Sequence, residues 1–412
     1  MTSLRSVAAL VAAMTILQAA SGLANFWLPL AMRGDGLDAT AVGFAGAAYS
    51  AGFMVGAFGA PRFLALVGHI RIFAAAGSFV CTLTLAAHWA DPLAVWALQR
   101  FGVGVCVALL FAAAESWMTA VAPASERGGV IGVYMVVSKL ALAAGPALAG
   151  GAEPWAGEPL MIAAAIYALA LVPICMTRAE QPAPPQPHPV AVRELIAIAP
   201  AAAAACMIAG VMNAGVMALA PLVFEDQHGR AGAAALMSAA WVGSLITQWP
   251  AARISDRIDR RLVILALAVL AAVSAAALAV FESRLPFWAT LLLVAAWGGG
   301  ALSFYGVAVA HMADRAHPSG LARATSGLLF LWAAGAIWGP VLAGLAMRTP
   351  LGHDGLFWFA AGWAVALGAF MAARRAARSP ALAQTRADRA PKEATSLAAG
   401  DLSYGGDKGP SA

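Results

Sequence analysis

Twelve apolar stretches, each of about 18 to 26 residues with few or no charges, follow one another along this chain. They run at roughly 7–31, 41–60, 72–90, 93–115, 128–151, 159–177, 195–223, 231–252, 262–281, 286–311, 322–347 and 355–373. A hydrocarbon layer of roughly 30 Å needs about 20 helical residues to cross it. Strand-type alternation is absent, so the period argues for helices rather than a barrel. The backbone of such segments must bond within itself, because the bilayer core offers no water. Composition agrees: 62% of residues are hydrophobic and only 11% charged, against about 25% charged in soluble domains. The expected fold is an all-α membrane protein with twelve transmembrane helices in two six-helix lobes.

The basic residues orient it. With the N-terminus in the cytoplasm, nineteen of the 25 Lys and Arg fall in cytoplasmic segments and four outside, at Arg33, Arg230, Arg284 and Arg348. Two, Arg100 and Lys139, lie within spans. That asymmetry obeys the positive-inside rule and predicts a multi-pass membrane protein with both termini cytoplasmic. The net charge of +5 then belongs to loops near anionic lipid rather than to a nucleic-acid surface. Residues 7–31 exceed a typical signal-peptide core, so the first stretch is expected to remain as a span despite the small residues Ala19, Ala20 and Ser21. The four cysteines lie inside spans without a C-x-x-C pair and read as packing residues, not metal ligands.

Between spans six and seven, residues 181–189 hold five prolines and predict an extended linker. The chain divides into a lobe at 1–178, a Pro-rich cytoplasmic linker at 179–192, a second lobe at 193–378 and a polar tail at 379–412 expected to be disordered. The halves echo each other. Gly145-Pro-Ala-Leu-Ala-Gly150 closes the fifth span, and Gly339-Pro-Val-Leu-Ala-Gly344 closes the eleventh. Parallel repeats related by an axis along the membrane normal suit a two-lobed transporter with its site between the lobes.

Short motifs sharpen this. After the eighth span the chain reads Arg253-Ile-Ser-Asp-Arg-Ile-Asp-Arg-Arg261, and after the second the equivalent stretch has Ala65 in place of the acid. Leu98-Gln-Arg100 is followed by Gly102 and Gly104, and Gly145-Pro146 sits in the fifth span. In these features the chain resembles the major facilitator superfamily, across about residues 7 to 378. The match of Asp256, Arg257, Arg260 and Arg261 to the family's loop motif implies a gating role for them. The family's Gly-Pro motif implies the same for Gly145 and Pro146, with the following Gly-Gly pair shifted by one residue, and the repeat extends it to Gly339 and Pro340. The stretches Glu115-Ser-Trp, Arg127-Gly and His311-Met-Ala-Asp314 resemble a bacterial branch of the superfamily, and no substrate comes with that resemblance.

Charge inside a membrane is costly and marks function or a buried brace. Lys139, about 18 Å of helix rise beyond Arg127, falls near mid-membrane and should face a cavity or a partner. Arg100, roughly 12 Å below the outer end of span four, stays charged and can grip a carboxylate with two parallel bonds. Both are candidate substrate or coupling residues; both could equally brace helices. Glu115 at the inner end of span four could carry a proton or form a gate ion pair, and His311 could relay a proton or cap a helix. Gln18, Asn25, Asn213 and Tyr305 fall on helices that line the central cavity in the superfamily, and the resemblance implies that they are candidate hydrogen-bonding groups for substrate; they could equally bridge helices. Two cations without deep acids argue for an anionic or zwitterionic substrate; a neutral Lys139 would weaken that argument.

No nucleotide loop and no catalytic motif such as H-E-x-x-H or G-x-S-x-G appears, so neither an ATP-driven pump nor an enzyme is expected. No cofactor or metal is expected. The reading is a secondary transporter of a small solute by alternating access, coupled to H⁺ by the resemblance and acting as a monomer. The alternative is a transporter-like membrane sensor or scaffold without transport.

Overall fold

The computed structural model describes residues 2–89, 93–121, 127–150, 158–177, 182–183, 192–317 and 320–377. The expected linker lies mostly, and the expected tail wholly, outside the described residues. Among those described there is no strand, and fourteen α-helices follow one another: α1 (Thr2–Gly34), α2 (Ala39–Val67), α3 (His69–Ala86), α4 (Leu93–Val121), α5 (Arg127–Ala144), α6 (Ala147–Gly150), α7 (Glu158–Cys175), α8 (Val192–Ile198), α9 (Pro200–Ser255), α10 (Arg260–Phe281), α11 (Phe287–Ala301), α12 (Phe304–Ala313), α13 (Leu321–Met347) and α14 (Asp354–Ala376). Among the described residues, ten helices are long and apolar enough to cross a bilayer, and Pro159–Cys175 is a shorter apolar helix.

The breaks follow from local chemistry. Helix α9 is 56 residues long only in name, because Gly229 interrupts it with a φ of 68° that a residue with a Cβ rarely adopts. It comprises two arms, residues 200–228 and 230–255. Between α1 and α2 the chain turns at Gly36, and Asp38 caps α2 by accepting a hydrogen bond from the Ala41 N–H at 2.8 Å. Helix α5 stops at Gly145-Pro146 and resumes as α6, since proline withholds a backbone donor. Leu302 and Ser303 separate α11 from α12.

Several helices outrun the apolar stretches that announce them. Helix α2 passes through Pro61 to Val67, and α4 continues beyond Glu115 to Val121. The hydrophobic signal ends where the hydrocarbon ends, whereas backbone hydrogen bonding carries the helix on into the interface.

Helices α1 to α7 pack mainly against one another, and α8 to α14 do the same. The two groups meet along α2 and α13, and where α1, α5 and α6 lie against α9. The chain runs up and down, so the bundle has two ends. We call "base" the end where α1 begins and where the α2–α3 and α9–α10 turns lie. "Top" is the end of the α1–α2 turn and of Gly229. Small residues set the distance between the groups at the top. A Cβ on Gly43 of α2 would stand 2.4 Å from the Pro340 carbonyl oxygen of α13, and one on Gly344 of α13 would stand 2.8 Å from the Ala39 carbonyl oxygen.

Candidate functional site

A cavity of about 240 Å³ lies between the two groups. The first group contributes Asn25, Tyr49, Ser50 and Arg100, and the second Asn213, Trp241 and Trp332. Much of the remaining wall is apolar, including Phe26, Leu28, Met217 and Met237. Among the described residues lining it, Arg100 carries the one charged side chain. Pro146 and Pro340, from the two Gly-Pro breaks, also reach the wall.

Arg100 is buried at 8% exposure. Its guanidinium lies 4.5 Å from the centroid of the Tyr49 ring, a cation–π arrangement, and one nitrogen donates to Asn25 Oδ1 at 3.4 Å. Asn213 is 9% exposed and donates through Nδ2 to the Ala301 carbonyl at 2.9 Å, at the break between α11 and α12. Its Oδ1 is buried without a hydrogen-bond partner. The structure thus brings Arg100, Asn25 and Asn213 to one cavity.

The other sequence candidates lie elsewhere. Lys139 does not line the cavity; it spans the two groups, donating from α5 to Ser244 Oγ at 2.9 Å and to Gln248 Oε1 on the second arm of α9. The bracing reading of Lys139 therefore matches its contacts. Gln18 and Tyr305 are half-buried and outside the cavity wall. Glu115 is exposed towards the base and accepts from Tyr134 Oη at 3.2 Å. His311 is buried at the base, with Nε2 lacking a hydrogen-bond partner.

The loop-motif residues form a knot at the base. Arg260 is buried and donates to Asp314 at 2.6 Å, to Ser255 Oγ at 2.9 Å and to Asp256 at 3.0 Å. Arg261 holds Asp259 at 2.7 Å and reaches the Arg374 carbonyl at 3.0 Å. Asp256 and Arg257 are exposed. These bonds tie α9, α10, α12 and α14 of the second group to one another. The glycines of the Gly-Pro pairs face their own group: a Cβ on Gly145 would stand 2.5 Å from Leu23 N of α1, and one on Gly339 would stand 2.1 Å from the Val211 carbonyl oxygen of α9. Pro340 faces the other way, onto Gly43 and Gly46 of α2.

Sequence reasoning missed the clasp at the top. Arg33 of α1 pairs with Glu225 and, at 2.6 Å, with Asp226, both on the first arm of α9, and also donates to the Leu222 carbonyl at 3.2 Å. Arg348, which follows the last residue of α13, lies 3.4 Å from Asp38 at the head of α2. Arg230 stacks 4.8 Å from the Trp27 ring centroid. Each contact crosses from one group to the other. The signal was present as charges in short outer loops, but nothing in the sequence pairs residues that lie so far apart along the chain, such as Arg33 with Asp226 or Asp38 with Arg348.

The arrangement of two helix groups around a central cavity has known counterparts. A sequence model of the Major Facilitator Superfamily matches residues 10–229 and 201–402. An uncharacterised MFS-type transporter of Yersinia pestis is 23% identical over 354 residues, covering 84% of this chain and 89% of that one. The MFS-type transporter YcaD of Salmonella newport is 24% identical over 365 residues, covering 84% and 90%. Among solved structures, a bacterial homologue of the human lysosomal transporter Spinster, inward-facing and unoccupied, superposes with a TM-score of 0.72 at 15% identity over 90% of this chain and 96% of that one. The D-xylose–proton symporter superposes with a TM-score of 0.69 at 15% identity over 89% and 96%. At these identities the structural likeness speaks for the fold alone, while the sequence match spans both halves of a multi-pass membrane protein. The chain belongs to the Major Facilitator Superfamily, whose members are transporters and not enzymes.

Proposed function

We propose that this protein is a twelve-span secondary transporter that moves a small solute across the bacterial inner membrane by alternating access, with H⁺ as the coupling ion. The observation that carries the reading is the cavity between the groups, lined from both sides and holding Arg100. The ten long helices become eleven when α9 is cut at Gly229, and Pro159–Cys175 supplies the twelfth. The lobes are then residues 1–178 and 193–378, joined by 179–192, with 379–412 as a tail. One family model matches twice, at residues 10–229 and 201–402, in keeping with two related halves.

With the base in the cytoplasm, as the arginine distribution requires, the Arg33 clasp and the Gly43–Pro340 contact close the outer side. The described conformation is therefore closed to the outside. Release to the outside requires the clasp to open, and the two states differ by which end holds the lobes together. The substrate-binding roles of Arg100, Asn25 and Asn213, and the gating roles of the base arginines, are part of this proposal.

Spin-label pairs test it without knowledge of the substrate. One pair sits at the top, at Gly34 and Leu351, and one at the base, at Leu66 and Ile258. Two populations are expected, with the top distance growing as the base distance shrinks. A single population at both ends under all conditions would reject alternating access. Thiol probes at Ala183 and Ser283, read in intact cells, should label from inside and outside respectively; the reverse pattern would overturn the orientation.

A further inference from the structure

The cavity of the proposed transport route also limits what can occupy it. Three features of the wall act together. The first is the guanidinium of Arg100, which stays charged at any relevant pH. Its described neighbours, the Asn25 amide oxygen and the Tyr49 ring, are both neutral. A buried cation without a counter-charge is costly in a low-dielectric site. One cation in the wall calls for one negative charge, and a carboxylate matches the guanidinium fork in shape.

The second feature is Asn213. Its Nδ2 is committed to the Ala301 carbonyl, which fixes the amide the right way round, since the flipped form would set oxygen against oxygen. What remains is a bare acceptor, Oδ1, in a side chain that is 91% buried by its 9% exposure and lines the cavity. An unsatisfied buried acceptor bears its full desolvation penalty, and a donor on the solute would relieve it. That donor should be uncharged, because the described wall offers no acid to a second cation.

The third feature is the apolar remainder. Trp241, Trp332, Met217 and Met237 offer flat and adaptable surface to an aromatic or branched body. At about 240 Å³, the cavity lies below the usual range of roughly 300–1,000 Å³ for drug-sized ligands.

We propose that the cavity takes a small organic monoanion, with a carboxylate on Arg100, an apolar or aromatic body between the tryptophans, and an uncharged hydrogen-bond donor on Asn213 Oδ1. The two anchors belong to different lobes, Arg100 to α4 and Asn213 to α9. A solute that engages both links the lobes, and one that engages a single anchor does not. The inference rests on the transport reading of this cavity.

Three probes of one shape test it: 3-(4-hydroxyphenyl)propionate, 3-phenylpropionate and the neutral 3-phenylpropanamide. Binding to the purified full-length protein is read by tryptophan fluorescence and thermal shift. In the wild type, loss of the hydroxyl should weaken binding about tenfold, and loss of the carboxylate charge a further tenfold or more. Asn213→Leu should erase the hydroxyl preference and keep the acid preference. Arg100→Gln should bind acid and amide alike, and Arg100→Lys, which keeps the charge, should retain the acid preference with weaker binding. An amide that binds as well as the acids, or a folded protein that binds neither acid, would overturn the proposal. So would a hydroxyl preference that survives in Asn213→Leu. If the solute class fails while the spin-label pairs still show two populations, the class alone is wrong; if those populations are absent, the transport reading has failed.

Discussion

The top and the base of the bundle use charge in opposite ways. At the top, Arg33 and Arg348 reach across the boundary between the lobes to Glu225, Asp226 and Asp38. At the base, Arg260 and Arg261 reach Asp314, Asp256, Asp259 and Arg374, all within the second lobe. Burial differs as well. Arg260 and Arg261 keep 9% and 4% of their side chains exposed, whereas Arg33 and Arg348 keep 32% and 62%. Half-exposed pairs are individually weak and easily exchanged for water, which suits a contact that has to open under the proposed alternating access. Buried, multiply bonded arginines are costly to disturb, which suits a fixture that keeps the helices of the second group together in the proposed cycle.

The strongest way to break this contrast is steric. Gly43→Ala places a methyl group 2.4 Å from the Pro340 carbonyl oxygen, and backbone cannot yield as a side chain end can. Overpacking of this kind costs typically 1–3 kcal/mol, and here the cost is avoided by parting the lobes at the top. The Gly34–Leu351 distance distribution should shift strongly to the longer population. Gly52→Ala is the matched control, since its methyl would meet the Phe101 carbonyl at 2.0 Å inside the first lobe. It should lower the melting temperature without favouring the longer population. A top distance unmoved by Gly43→Ala would show that this crossing does not close the outer side.

A smaller effect is expected at mid-depth. Lys139 crosses the lobes to Ser244 and Gln248. Gln248→Ala leaves the ammonium short of an acceptor, at a cost of about 1–3 kcal/mol. Lys139→Met removes the buried charge together with its needs and should cost less. The double variant should resemble Lys139→Met alone, so the two changes are strongly non-additive in thermal unfolding. Simple additivity would show that the pair does not interact in the membrane.

Next comes the clasp. Arg33→Gln removes two ion pairs from a half-exposed site, worth together about 1 kcal/mol after solvent screening, or roughly a fivefold shift in the two populations. The shift should fade in high salt. An equal response in the Leu66–Ile258 pair of Arg260→Gln, with the lobe still stable, would erase the distinction between the two ends.

The sequence declared these features unevenly. Span positions were legible because a 20-residue apolar run has few other uses. Arg100 and Lys139 stood out because intramembrane charge is rare. The acceptors of Lys139 did not, since Ser244 and Gln248 resemble any polar residue that bridges membrane helices. Gly43 was one of 41 glycines, and only the approach of α13 gives it meaning. The roles of Gln18 and Tyr305 were inferred from which helices they occupy, but a helix presents several faces, and their side chains fall outside the cavity wall.

The smallest expected effect belongs to the base. Asp259 caps α10, accepting from the Arg261 backbone N–H at 2.9 Å and from its guanidinium at 2.7 Å. Burial alone would raise this carboxyl; the hydrogen bonds and charge of Arg261 outweigh it and hold the group below its ordinary 3.8. A carboxyl lowered on folding adds stability that is present above its unfolded pKa and lost as pH falls through the folded one. The wild type should therefore lose stability below about pH 4, and Asp259→Asn, which can still cap the helix, should lose less over the same range. The difference should be under about 1 kcal/mol, read as the change in melting temperature between pH 6 and pH 3. Because this bond lies within one lobe, the Gly34–Leu351 distance should not change with it. A top distance that follows the titration of Asp259 would mean that the base knot, too, takes part in opening the outer side.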